Sequence, residues 1–128
     1  MGKNEDESSS TSQLESMGRR LFKPGFFLGV FPAKQHPPIP SHSAFYIINE
    51  DDGAGTHWMG VALKPGFKPL LFDSFGRTPS AHWQPWLRYM ETTDPDRDQE
   101  YDASNCGELS LAFGKIFETY GREVAKSI

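Results

Sequence analysis

Two apolar runs, "HWMGVALK" (57–64) and "PLLFDSF" (69–75), are separated by little more than the turn signal "PGFK" (65–68). This arrangement constrains the chain more than any other stretch. Proline presets φ for a tight turn and glycine accepts positive φ, so the pair reads as an antiparallel hairpin. "AFYIIN" (44–49), ended by the turn-rich "EDDGAG", reads as a third strand, and "FFLGVFP" (26–32) as a buried extended segment. Between those two lies "AKQHPPIPSHS" (33–43), a proline-stiffened loop. The clearest helix runs from Cys106 to about Val124, where Leu109, Phe113, Ile116, Phe117, Tyr120 and Val124 recur at three- and four-residue steps. The expected fold class is therefore α+β, a small, mainly antiparallel sheet packed against a C-terminal helix.

The remaining segments are less regular. Residues 1–16, "MGKNEDESSSTSQLES", are serine-rich and polar and read as a flexible tail, with residues 17–128 as a single domain. A short helix begins near Ser12, with Leu14, Met17 and Leu21 at helical spacing. "SAHWQPWLRYMETT" (80–93) fits a short helix carrying Trp83, Trp86, Leu87 and Met90 on one side, with regular helix mostly after Pro85. "DPDRDQEYDAS" is a polar connector. A length of 128 residues suits one modest core rather than two.

Bulk properties exclude several classes. A net charge of −4 offers no nucleic-acid groove or membrane-binding surface. The apolar runs are too short to span a bilayer, and no signal-peptide pattern opens the chain. Gly2 is followed by Asp6 where a myristoylation signal wants Ser or Thr. A single cysteine excludes an internal disulfide. The expectation is a soluble intracellular monomer. His36, His42 and His82 lack the paired spacing of metal ligands and read as surface or loop residues, so no metal or cofactor is expected.

The single cysteine stands in "DASNCGELS" (102–110). Asn105 is a favoured N-cap and Glu108, three residues on, completes the capping-box spacing. Cys106 then falls in the first helical turn, where backbone N–H groups and the helix dipole favour a thiolate. Gly107 leaves no side chain to block an approaching substrate backbone. The alternative is a small buried residue capping a helix. A base is placed by the hairpin: His57 and Asp73 are symmetric about residue 65. Directly opposed residues have Cβ atoms about 4.5–5.5 Å apart, so the carboxylate can orient the imidazole. Each taken alone also reads as a polar residue at a strand end. Gln99, seven residues before Cys106, could donate to a developing oxyanion or be a plain loop residue.

Together "GTHWMGVAL", "LLFDSFG" and "Q……NCG" resemble the adenovirus endopeptidase (adenain) family, viral cysteine proteases whose wider clan includes the SUMO-specific proteases. "FFLGVF" and "YIIN……GTHWM" resemble the family's N-terminal region, so the likeness covers roughly residues 21–124. The resemblance implies a papain-like, adenain-like core with His57 as general base, Asp73 as its orienting acid, Cys106 as nucleophile and Gln99 as oxyanion donor. Trp58 would wall a narrow channel for a Gly-containing substrate, although core packing suits a strand tryptophan equally well. It further implies cleavage of viral precursor polypeptides during virion maturation, inside an infected cell and in the virion. Asp73 stands where adenain itself typically has Glu, and Asp is the choice of the SUMO-protease relatives. With Cys106 as the only thiol, disulfide attachment of an activating peptide is excluded, which leaves a noncovalent peptide activator, and the net charge of −4 weighs against activation by DNA. The competing expectations are a protease for SUMO or ubiquitin-like tails, and a non-catalytic binding module on the same fold.

Overall fold

The computed structural model describes residues 11–32, 35–49, 57–73, 89–93 and 106–127. Their order is helix α1 (Thr11–Leu21), strands β1 (Phe27–Phe31), β2 (Ala44–Asn49), β3 (Trp58–Leu63), β4 (Leu70–Phe72) and β5 (Glu91–Thr92), then helices α2 (Cys106–Tyr120) and α3 (Arg122–Lys126). The class is α+β. The five strands form one sheet in sequence order. Its centre is antiparallel as expected, β2 with β3 and β3 with β4. Both outer pairings, β1 with β2 and β4 with β5, are parallel, so the sheet is mixed rather than mainly antiparallel. Residues 32–43 and 73–90 supply the length that a same-direction return requires.

Every residue of β3, and Ala44–Ile48 of β2, is buried, because the central strands have apolar groups on both faces. On one face Phe45, Ile47, Ala62, Leu70 and Phe72 pack with Leu14 of α1 and Leu111, Phe113 and Phe117 of α2. On the other, Tyr46, Ile48, Met59, Val61 and Leu71 form a second cluster with Leu28, Phe31 and Met90 against it. Burial of roughly 1.5–3 kcal/mol per large apolar side chain makes these two clusters the main source of stability.

How closely α2 approaches the sheet is set by two glycines. A Cβ on Gly114 would lie 2.5 Å from Phe45 Cε2, and one on Gly60 would lie 2.9 Å from Phe45 Cε1. With no side chain at either position, Phe45 lies between strand and helix, and Phe113 stacks on Phe72 with ring centroids 4.9 Å apart. On the sheet edge, α1 supplies what a strand partner would. Glu15 Oε2 accepts the Val30 N–H at 2.8 Å, and Arg19 Nη1 donates to the Phe27 carbonyl at 2.8 Å.

Three expectations change. Helix α1 starts at Thr11, one residue before the start expected near Ser12, and its Leu14 is fully buried, so residues 11–16 of the stretch also expected as a tail are helical. Glu91 and Thr92, expected at the end of a helix, form β5 by pairing with Leu70 and Leu71; Trp83, Trp86 and Leu87 lie outside the described residues. The last helix stops at Tyr120 because Gly121 takes φ 95°. The Gly121 N–H closes on the Phe117 carbonyl, a helix ending that glycine favours. Tyr120 and Val124, expected on the apolar stripe, are exposed as a result.

Gly114→Ala separates packing from propensity. Helix propensity alone would raise stability by ~1 kcal/mol, whereas overpacking of this kind costs typically about 1–3 kcal/mol. Urea unfolding should show a net loss of up to about 2 kcal/mol; a net gain would show that α2 is not held at this distance by Gly114.

Candidate active site

The His57–Asp73 pair forms where the central strands end. The β3–β4 ladder pairs Gly60 with Phe72 and is centred on Gly66, whose φ is 87°. This centre lies one residue beyond the expected one, because the turn places its positive φ on the glycine. Continuing the register would set Asp73 opposite Met59, so His57 and Asp73 meet diagonally rather than face to face. Diagonal neighbours remain within reach of long side chains. His57 Nε2–H donates to Asp73 Oδ1 at 2.6 Å, and both residues are buried.

Cys106 is the first residue of the 15-residue helix α2 and is fully buried. The ladder with β2 extends to Trp58, and among the described residues the ladder with β4 reaches Gly60. At this end of β3 the backbone of Trp58 bonds to α2. Its N–H donates to Cys106 Sγ at 3.3 Å, and its carbonyl accepts from Ser110 Oγ at 3.3 Å. Ser110 Oγ also lies 2.9 Å from the Cys106 carbonyl, as an i to i−4 bond within the helix. The sulfur thus stands at a helix start and accepts a backbone N–H.

The imidazole is tuned to match. Burial alone would lower the His57 pKa. The hydrogen bonds to Asp73 and Cys106, reinforced by the negative charge of both partners, outweigh it and push the value up to about 9. With Nε2 engaged by Asp73, any proton exchange with the thiol would fall to Nδ1. The imidazole therefore keeps its proton at neutral pH, beside the sulfur of Cys106.

The other expected residues fall differently. Trp58 lies in the core beside Cys106, so its contribution to the site is its backbone rather than a channel wall. The space beside Gly107 is taken by Leu14, whose Cδ2 would sit 2.7 Å from an added Cβ. This glycine therefore serves the contact with α1, and the geometry gives no support to a substrate-facing role. Gln99 and Asn105 lie outside the described residues. Ser110 was not anticipated, although its i+4 spacing from Cys106 places both on one helical face. Among the described residues no cluster of three His, Cys, Asp or Glu side chains is placed to hold a metal ion. Among them, too, no helix is long and apolar enough to cross a membrane.

A raised His57 pKa makes stability depend on pH in a defined direction. The folded value of about 9 exceeds the ordinary 6.5, so the native state holds this proton more tightly than the unfolded chain. The resulting stabilisation is fully present below pH 6.5 and is lost as pH rises through about 9. Asp73→Asn removes the strongest interaction holding the proton. The stability advantage of wild type over this variant, measured by urea unfolding, should shrink as pH rises from 6.5 through about 9. An advantage that does not vary with pH would contradict the assignment.

No protein-family model matches the chain, and no curated protein matches it. Among solved structures, it is similar to the central domain of the uncharacterized Lpg1148 protein from Legionella pneumophila, with 19% identity and a TM-score of 0.39. The match covers 89% of this chain and spans 61% of the length of that one. A likeness this slight bears on neither fold nor activity.

Proposed function

We propose that the chain is a thiol endopeptidase using Cys106, His57 and Asp73, on a papain-like core of the adenain type. The observation that carries this reading is the buried Asp73–His57 bond beside the protein's only thiol. That thiol stands at a helix start and receives a backbone N–H. A structural cysteine has no need of an imidazole whose pKa is pushed up to about 9.

In the reaction, the Cys106 thiolate forms a C–S bond to the scissile carbonyl carbon while the carbonyl electrons move onto oxygen. When the tetrahedral intermediate collapses, the C–N bond breaks and His57 gives its proton to the leaving amine. His57, now neutral, takes a proton from water as that water attacks the thioester, and thiolate and imidazolium are regenerated. Asp73 keeps the ring in the tautomer and orientation both steps need. By the resemblance, Gln99 and the Cys106 N–H stabilise the oxyanion, and the substrates are viral precursor proteins cut at Gly-containing sites during virion maturation. Cys106 is fully buried, so a substrate carbonyl reaches Sγ only when the groups over it give way.

The test is cleavage by the full chain of a Gly-Gly-containing viral-type peptide and of SUMO and ubiquitin fusions, read by mass spectrometry. Wild type should cut the peptide fastest. Cys106→Ala should abolish cutting, and His57→Ala should slow it by about 10²–10⁴-fold. Preference for a SUMO or ubiquitin fusion would move the reading to a ubiquitin-like protease. Cleavage that persists in Cys106→Ala, or no cleavage of any substrate with partner binding intact in that variant, would overturn it in favour of a contaminant or a binding module respectively.

A further inference from the structure

We infer that a cleft at the end of the sheet away from His57 binds a small organic anion, a negatively charged group carried on an apolar body. The cleft measures about 540 Å³, a size that suits a small molecule. Its position follows from the strand register. Strand β3 starts beside His57 and ends before Lys64, and Ala44 of β2 pairs with Leu63. His42 and Ser43, which lead into β2, therefore stand beside Lys64, and all three line the cleft. The turn Lys23–Phe26 adjoins them on the β1 side, where the Phe26 carbonyl accepts the Phe45 N–H at 2.9 Å. Gly121 and Arg122, just after α2, complete the lining. A Cβ added to Gly25 or Gly121 would meet nothing within 4 Å, so both turns border open space.

The chemistry of the lining selects the ligand. Phe26 and Phe117, with ring centroids 5.8 Å apart, supply apolar surface. Among the described residues Glu118 is the only acid on the lining, and both its oxygens are engaged. Oε1 accepts from Lys115 Nζ at 2.7 Å, and Oε2 from the Lys23 N–H at 3.1 Å. Glu118 also attracts the Lys23 charge from farther off. Among the described residues, neither the Lys23 nor the Lys64 ammonium has an acid within ion-pair distance. Lys64 Nζ lies 4.8 Å from the centre of the Phe67 ring, a contact that leaves its charge in place. Arg122 is buried, and its Nη2 donates to the Lys68 carbonyl at 3.2 Å and to Glu91. Its Nε, also buried, has no hydrogen-bond partner among the described residues, and a buried donor in that condition costs free energy until an acceptor reaches it. In a chain of net charge −4 this cleft is a local reversal of sign, which draws an anion. The two phenylalanine rings favour an anion with an apolar body over a bare ion.

The experiment follows the backbone amides of the full chain by proton–nitrogen correlation NMR as hydrocinnamate is added, with uncharged hydrocinnamamide and inorganic phosphate as controls. Hydrocinnamate should shift the amides of Lys23, Gly25, Phe26 and Gly121 in a saturable way, with a Kd of about 1 mM for so small a probe. Hydrocinnamamide and phosphate should each bind about tenfold more weakly, since each lacks one half of what the cleft recognises. The double variant Lys23→Gln, Lys64→Gln should also weaken hydrocinnamate about tenfold. Both lysines are exposed, so their replacement leaves the core intact. No saturable shift at those amides would overturn the inference. So would equal binding of hydrocinnamamide, or an affinity for hydrocinnamate unchanged in the double variant. Phosphate binding as tightly as hydrocinnamate would overturn the apolar half of the inference.

Discussion

The site depends on the meeting of the end of β3 with the start of α2, where the backbone of Trp58 bonds to the helix. Buried backbone polar groups require partners, and Cys106 and Ser110 are among those of Trp58. That contact brings a helix start against the strand that carries His57. Asp73 arrives by the same route, since the short β4 ends at Phe72 and releases the next residue toward the imidazole.

The rest of the fold holds that junction in place. Gly60 and Gly114 let α2 lie low over the sheet, with Phe45 and Phe113 filling the space between. Leu14 of α1 packs on Gly107, and Glu15 and Arg19 fasten α1 to the free edge of β1. Cys106 is therefore gripped from the strand below and, through Gly107, from α1. Rigidity of this kind suits the nucleophile we propose, which must keep one orientation toward its base. It also explains why Cys106 is fully buried.

Much of this could be read from the sequence where the determining signals are local. β2 occupies the expected residues 44–49 because turn-forming residues bound it, and the Pro65-Gly66 turn fixed the hairpin to within one residue of its centre. That was enough to bring His57 and Asp73 together, although diagonally. Features decided by distant partners were hidden. β5 exists because Glu91 and Thr92 meet Leu70 and Leu71, and nothing in "METT" encodes that pairing. Parallel pairing at both edges is a property of how the chain returns, not of any strand's composition. Helical periodicity carried the last helix through Gly121, where a positive φ ends it. Gly107 looked like an open approach to the thiol because its neighbour Leu14 comes from far earlier in the chain. Ser110 escaped notice because a serine one turn beyond a cysteine acquires meaning only when the end of β3 lies beside it.

The central claim is that His57 holds the single thiol as a reactive thiolate. The most direct measurement is the thiolate absorbance at 240 nm of the folded protein near pH 6, for wild type and His57→Ala, with the urea-unfolded chain as reference, because it needs no reagent to reach the buried sulfur. The expected result is a thiolate band in folded wild type that the unfolded chain lacks at that pH, where a free thiol of pKa about 8.5 is almost wholly protonated, and its loss in His57→Ala. No thiolate band in folded wild type at that pH would identify Cys106 as a structural core residue and contradict the proposal.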